Sequence, residues 1–371
     1  LPIIMFELFS MFCISFAVTY FLRMLAKRIG LVDRPNERKM HSGAIPLVGG
    51  ISIYLSFSIF LLMNPQAIPY SDYFLISLTI LMIVGALDDK YDVSFKLRFA
   101  IQALISLAMM YFTNVKLHTL GDIVGLGVIH LDWFGYVVTV FAVVAAINAF
   151  NMVDGIDGLL GGLSVVTFSA IGLLLLADGQ TTFSYTSLVI GVIMLPYILM
   201  NLGLLGRQRK IFMGDAGSMM IGFMVVWFLL CSSQTKGQPL IRPVTALWLI
   251  AIPLMDMAAI MIRRIRRGDS PFKPDREHLH HIFQRLGFSS AQTLMIICFL
   301  ATLFAGFGIL GEMANVPESV MFYIFLVTFC IYTAMLSNVW RITKKLRQWY
   351  GLSGQGSQLV EGKKKDSIAR M

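Results

Sequence analysis

About eleven apolar runs, each close to the ~20 residues needed to cross a hydrocarbon core, dominate this chain. They cover residues 3–25, 46–63, 73–87, 97–113, 133–149, 158–177, 185–205, 216–232, 244–262, 291–311 and 319–340. In lipid, each run must satisfy its own backbone hydrogen bonds, so helices are the only local structure open to it. The chain is 57% hydrophobic and 14% charged, with a mean hydropathy of +0.75. Soluble domains run at roughly 45–50% and about 25%. The expectation is an all-α polytopic membrane protein of about eleven transmembrane helices. Residues 1–345 would form one transmembrane domain, and 346–371 a basic, disordered tail.

The four cysteines, Cys13, Cys231, Cys298 and Cys330, lie in or beside apolar runs with no CxxC pair. They read as small apolar residues and not as a disulfide framework or zinc site. The first run has no preceding lysine or arginine and no small-residue cleavage site, so it reads as a span, not a cleavable signal.

The net charge of +9 would suit nucleic acid, but its distribution suits membrane topology. Lys27, Arg28, Arg34, Arg38 and Lys39 follow the first run. Lys90, Lys96 and Arg98 follow the third. Arg207, Arg209 and Lys210 follow the seventh, and Arg263, Arg264, Arg266, Arg267, Lys273, Arg276 and Arg285 the ninth. The opposite loops hold Lys116, Lys236 and Arg242. That bias places the odd loops and the C-terminus in the cytoplasm, with the N-terminus outside.

Four polar clusters fall on the same cytoplasmic side, although lysine and arginine alone set the topology. The richest is Asn148 to Gly162. Its amides Asn148 and Asn151, and its acids Asp154 and Asp157, are each spaced i, i+3, which on a helical turn is one face. Gly155 and Gly158 follow the acids and let backbone and ligand approach closely. Two like charges here need a counter-charge from a divalent cation or a substrate.

Asp88 and Asp89, with Asp92 beyond, end the third run, suited to a metal–phosphate unit or to a phosphate hydroxyl. Gly214-Asp215-Ala216-Gly217-Ser218 opens the eighth run, where backbone N–H groups can face an anion and a carboxylate a hard cation. A plain N-cap role for Asp215 is the competing reading. His278, His280 and His281 lie in the longest cytoplasmic loop. Without a completing cysteine they favour phosphate contact over a transition metal. Lys96 and Arg98 sit at headgroup depth beside the aspartates, where a lipid phosphate would lie; helix anchoring is the bland alternative. Asp256, deep in the ninth run, is a charge that must face a polar interior or be neutral.

Taken in order, these blocks resemble the polyprenyl-phosphate N-acetylhexosamine-1-phosphate transferases. The matching stretches begin at Gly30, Ile45, Gly85, Asn148, Phe212, Ala251, Ser270 and His278, and span Gly30 to Gly287. Met40 departs from the family pattern, which often has a further basic residue there.

The resemblance implies transfer of N-acetylglucosamine 1-phosphate from UDP-N-acetylglucosamine to undecaprenyl phosphate, releasing UMP, with Mg2+ or Mn2+. This would be the step that starts O-antigen or enterobacterial common antigen synthesis in the bacterial inner membrane. By position, Asp215 would be the metal ligand with Asn151 beside it. Asp88 would be the base or orienting group, supported by Asp89. Asn148 and Asp157 would serve the nucleotide pocket, and Asp154 the adjoining structure or metal shell. Arg276 and the three histidines would hold pyrophosphate or sugar. A homodimer stays open; nucleic acid is not a partner.

A lipid-linked sugar transporter or flippase would account for the spans and for Asp256. It would not account for four clusters on one face, since transporters bind near the midplane. A membrane scaffold leaves the paired acids without a purpose.

Overall fold

The computed structural model describes residues 2–34, 43–234, 240–271 and 277–349. The chain folds as thirteen α-helices among the described residues. They are α1 (Pro2–Ile29), α2 (Gly49–Met63), α3 (Ser71–Tyr91), α4 (Phe95–Thr113), α5 (Phe134–Met152), α6 (Leu159–Ala177) and α7 (Thr181–Asn201). Then come α8 (Gly214–Ser233), α9 (Pro243–Leu249), α10 (Ala251–Arg266), α11 (Leu279–Arg285), α12 (Ser290–Met313) and α13 (Glu318–Trp349). Nine described helices are long and apolar enough to cross a membrane, and α9 with α10 would make a tenth. The fifteen residues of α2 are short for a span. All-α, polytopic architecture is therefore what the apolar runs produce. Large side chains such as Phe6, Leu62, Tyr111, Phe141 and Leu310 face outward, as a lipid-facing rim requires.

Helix α8 is the axis of the bundle and is almost wholly buried. Small residues let its neighbours come into backbone contact, the usual basis of helix packing in lipid. A Cβ on Gly50 would lie 2.2 Å from Gly217 Cα, and one on Gly85 would lie 2.3 Å from Ala216 Cα. So α2 and α3 clasp the first turn of α8, the turn that carries Asp215. Lower down, Phe74, Phe223, Trp227 and Phe228 fill the core with stacked, tilted and edge-on rings.

The ninth apolar run departs from a continuous helix. It breaks between α9 and α10, which lie at 82° to one another. Pro253 supplies the reason. Its ring collides with the carbonyl four residues earlier, that of Leu249, and it has no N–H to donate. Thr167 Oγ1 donates instead to the freed Leu249 carbonyl at 3.2 Å, as backbone groups in a membrane require.

Two short strands, β1 (Val32–Asp33) and β2 (Ile45–Pro46), pair antiparallel. Gly49 N–H and Gly50 N–H donate to the Phe212 and Met213 carbonyls, both at 2.9 Å. The first loop is thereby docked on the segment entering α8. Residues 35–41 of that loop, and the tail from 350, lie outside the described residues, and α13 runs on to Trp349.

Candidate active site

At one end of the bundle, the end of α3, the end of α5 with its following turn, and the start of α8 enclose a cavity of about 470 Å3. Asp89, Asn151, Asp154, Asp157 and Asp215 all line it. Three clusters far apart in sequence thus meet in one space. Asp33, Asn201, Lys210, Gln284 and Ser290 complete the polar wall, none of them picked out beforehand as site residues.

The start of α8 explains how Asp215 is presented. Gly214 has φ +77°, a left-handed conformation that favours glycine. A Cβ there would also meet Asp89 Oδ2 at 2.4 Å. The Asp89 carboxylate accepts the Asp215 N–H at 2.8 Å and the Ala216 N–H at 3.4 Å. A residue 126 positions away therefore caps the helix, in place of Asp215 itself. Freed from capping, the Asp215 side chain faces the cavity. Its Oδ1 accepts Asn151 Nδ2 at 2.7 Å, and the same amide donates to Ser218 Oγ at 2.8 Å. Both Asn151 contacts use its nitrogen, which leaves its amide oxygen as a further hard donor on the wall.

Asp88 stands one residue before Asp89, buried, outside the lining. Its Oδ1 accepts Val93 N–H at 2.8 Å, and its Oδ2 pairs with Arg98 Nη1. Arg98 Nη1 lies 3.9 Å from Asp215 Oδ2, so this guanidinium bridges the two acids. Lys96 is exposed at the start of α4. Helix α3 ends at Tyr91, and Asp92 takes a left-handed turn conformation, exposed beyond it. Asn148 shares the α5 face of Asn151 but lies one turn deeper, where its Nδ2 donates to Gln102 Oε1 and Val144 O, each at 2.8 Å.

The turn after α5 is held from both sides. Buried Asn201 accepts Gly158 N–H at 2.6 Å and donates to Ile211 O at 2.9 Å. One side chain thus fixes the acidic turn against the segment that enters α8. Lys210 Nζ pairs with Asp157 Oδ2 at 2.6 Å. Asp154 has no such cation among the described residues. Burial first, then the charges of Asp215, Asp89 and Asp157, push its carboxyl up to about 7.

The three histidines have different surroundings. His280 is buried behind the cavity wall. A Cβ on Gly155 would fall 2.0 Å from its Nε2, so the glycine is the space the ring occupies. Burial, with His281 and His278 nearby, lowers its pKa to about 3, and it is neutral at ordinary pH. His278 is tied to the intramembrane acid through Nδ1 and Asp256 Oδ2 at 3.0 Å. His281 packs at 4.2 Å from the His280 ring centroid. None of the three lines the cavity directly. Arg276 lies outside the described residues.

The donor set bears on which cation could sit here. Among the described residues, no three His, Cys, Asp or Glu side chains form a ready-made metal cage. Zinc would need one. Mg2+ typically takes one or two carboxylates and completes its shell with phosphate and water. Asp215 and the Asn151 oxygen, with the under-compensated charge around Asp154, suit that second pattern.

Comparison with known proteins agrees with this geometry. The model of glycosyl transferase family 4 matches residues 72–233, from the start of α3 through α8. An undecaprenyl-phosphate alpha-N-acetylglucosaminyl 1-phosphate transferase of Escherichia coli O157:H7 is 50% identical over 343 residues, 92% of this chain and 93% of its own. Proteins of the same description from Yersinia pestis and Haemophilus influenzae are 49% and 47% identical, covering 92% and 93% of this chain and 94% and 97% of theirs.

Proposed function

Because the chain belongs to glycosyl transferase family 4, we propose that it transfers N-acetylglucosamine 1-phosphate from UDP-N-acetylglucosamine to undecaprenyl phosphate. The products are undecaprenyl-pyrophosphoryl-N-acetylglucosamine and UMP. The observation that carries the reading is the meeting of Asp89, Asn151, Asp154 and Asp215 around one cavity at the end of a lipid-facing bundle. A water-soluble nucleotide sugar and a long lipid can come together only at such a boundary. The same end carries Lys27, Arg28, Arg207, Arg209 and Lys210, which supports a cytoplasmic site in the inner membrane with the N-terminus outside.

In the reaction, an acceptor phosphate oxygen attacks the phosphorus that bears the sugar. The bond from that phosphorus to the UMP oxygen breaks, and UMP leaves with the electron pair. Little covalent chemistry falls to the protein, which positions the reactants and balances charge. Asp215 and Asn151 would hold Mg2+ or Mn2+, with Asp154 beside them. When bound, the cation neutralises the donor diphosphate. Arg98 remains able to meet the acceptor phosphate, since a guanidinium has five donors in a fixed fork. Both Asp88 oxygens are engaged, so Asp88 orients Arg98 in this geometry. The acceptor phosphate is largely ionised already, and a general base would add little. Lys210 and Asp157, paired in the cavity wall, would serve the nucleotide.

The test is UMP release by the purified chain, supplied with undecaprenyl phosphate, Mg2+ and a panel of UDP-sugars. UMP should form only with acceptor present, and fastest with UDP-N-acetylglucosamine. UMP formed equally without acceptor, or with none of the sugars, would overturn the reading.

A further inference from the structure

Asn151 meets two acceptors with one nitrogen. Its Nδ2 lies 2.7 Å from Asp215 Oδ1 and 2.8 Å from Ser218 Oγ. An ionised carboxylate only accepts hydrogen bonds, so the amide atom that faces it is the nitrogen. Turned over, the amide would set two oxygens against each other at that distance. Both protons of the amide nitrogen are therefore spent inside the protein. Asn151 Oδ1 takes no hydrogen bond among the described residues, and Asn151 lines the cavity. A bare amide oxygen on that wall is an acceptor, and it suits a hard cation and not a phosphate oxygen.

The packing beneath explains how the hydroxyl reaches the amide. Asp215 and Ser218 stand at i and i+3 in the first turn of α8, on one face. One turn further along α8, a Cβ on Gly222 would lie 2.6 Å from Ile147 Cα. Ile147 is one turn before Asn151 on α5. The two backbones thus touch one turn below the pair, and that crossing brings Asn151 and Ser218 to bonding distance. Ser218 itself is fully buried and does not line the cavity, so it acts on a ligand only through Asn151.

The two acceptors are not equivalent. A cation on Asp215 would draw on the same carboxylate that holds the amide. Ser218 carries no charge to share. Its one proton is directed to the Asp215 carbonyl at 3.4 Å, which leaves its lone pairs for Asn151. A helical serine often does no more than bond to its own backbone. Here that bond is long against the roughly 2.7–2.8 Å usual for O–H···O, and the contact to Asn151 is the close one.

We propose that Ser218 is a positioning residue for the cation: it takes the second amide proton of Asn151, so that Asn151 Oδ1 stays turned to the cavity as a neutral ligand for Mg2+ or Mn2+ beside Asp215. This rests on reading the chain as a metal-dependent sugar-phosphate transferase. A serine that only packed would act on folding and not on cation binding.

Mn2+ binding to the full-length, detergent-purified chain reads this without turnover. Loss of the free Mn2+ EPR signal gives the affinity, first with Mn2+ alone and then with UMP added. Ser218→Ala should weaken Mn2+ binding about 10-fold, the lower end of what outer partners of metal ligands contribute, with the unfolding midpoint nearly fixed. Asn151→Ala should weaken it at least as much. Adding Ser218→Ala to Asn151→Ala should cost less than about 2-fold more, because the two residues act as a unit. Unchanged Mn2+ affinity in Ser218→Ala would overturn the proposal, as would losses that multiply independently, or an unmodified chain that binds no Mn2+ under either condition. If Ser218→Ala does not fold, Ser218→Cys carries the measurement, since it keeps the shape with a weaker acceptor. It should give a smaller loss that vanishes beside Asn151→Ala, and no loss overturns the proposal. In the UMP-release assay, Ser218→Ala should raise the Mg2+ concentration for half-maximal rate and leave KM for undecaprenyl phosphate nearly unchanged. The expected Mn2+ pattern in a chain that transfers no sugar phosphate would sink the transferase reading alone. Transfer with Mn2+ binding indifferent to Ser218 would sink this proposal alone.

Discussion

Two neighbouring acids in the cavity wall should fail in opposite ways. Asp215→Asn keeps an oxygen for the Asn151 amide, now at 2.7 Å from Oδ1, so one charge-assisted bond becomes neutral at a cost of about 1 kcal/mol. Removing a negative charge beside Asp154 offsets part of that, because Asp215 is among the causes of the raised Asp154 pKa. Unfolding in detergent should therefore move by less than about 1 kcal/mol. Turnover should collapse. Metal-based charge stabilisation is worth several kcal/mol, and about 4 kcal/mol at 1.36 kcal/mol per decade is roughly a thousand-fold. Asp89→Asn acts through the backbone. It leaves one of the Asp215 and Ala216 N–H groups facing an amide nitrogen, which should cost about 1–2 kcal/mol of stability. The assay is a pair of titrations per variant, the unfolding midpoint and the Mg2+ concentration giving half-maximal UMP release. Asp215→Asn should raise the Mg2+ requirement with the midpoint nearly fixed, and Asp89→Asn should lower the midpoint with the requirement nearly fixed. The opposite assignment of effects would refute the division of labour between the two acids.

Asn201→Ala orphans the Gly158 N–H and the Ile211 carbonyl, at about 1–3 kcal/mol each, so a drop of about 2–6 kcal/mol in unfolding free energy is expected. Stability within about 0.5 kcal/mol of the parent would contradict that role. Gly155→Ala puts a methyl where the His280 ring lies and should cost about 1–3 kcal/mol by overpacking, with loss of activity through the displaced acidic turn. Replacing His280 by Gln in the same background should recover part of the loss, and no recovery would show that the ring is not the obstacle. His280 also predicts a pH effect. Its folded pKa, about 3, is below the ordinary 6.5, so the unfolded chain binds the proton first. Its contribution to stability is complete above about pH 6.5 and is lost as pH falls toward about 3. His280→Gln should flatten that acid-side decline in unfolding midpoint, and an unchanged slope would exclude His280 as its source.

The apolar runs made the helical architecture legible, because lipid leaves each run a single way to satisfy its backbone. The shared location of Asp89, Asn151, Asp154, Asp157 and Asp215 was legible too, since loop charge assigns their clusters to one side. The division of tasks among them was not. Asp89 and Asp88 read as twins, yet one caps α8 and the other holds Arg98, and only tertiary placement tells them apart. Asn201 stands alone at the end of α7 with no spacing pattern to mark it, and Asp33, though inside the stretch that begins at Gly30, carries no feature that assigns it to the cavity. Asp256 was legible as a demand for a polar partner. That His278 and Tyr332 meet that demand depends on the break at Pro253 and on the path of α13. The three histidines look equivalent in sequence, and one glycine cradle and one buried acid make them different.

The central claim is that the sugar moves together with its phosphate. UDP-N-acetylglucosamine carrying 32P at the phosphorus bonded to the sugar tests it directly, with undecaprenyl phosphate as acceptor and the purified chain as catalyst. The label should pass into the organic-soluble lipid product, with unlabelled UMP left in water. Label retained in water as UDP, with the sugar alone on the lipid, would contradict the account.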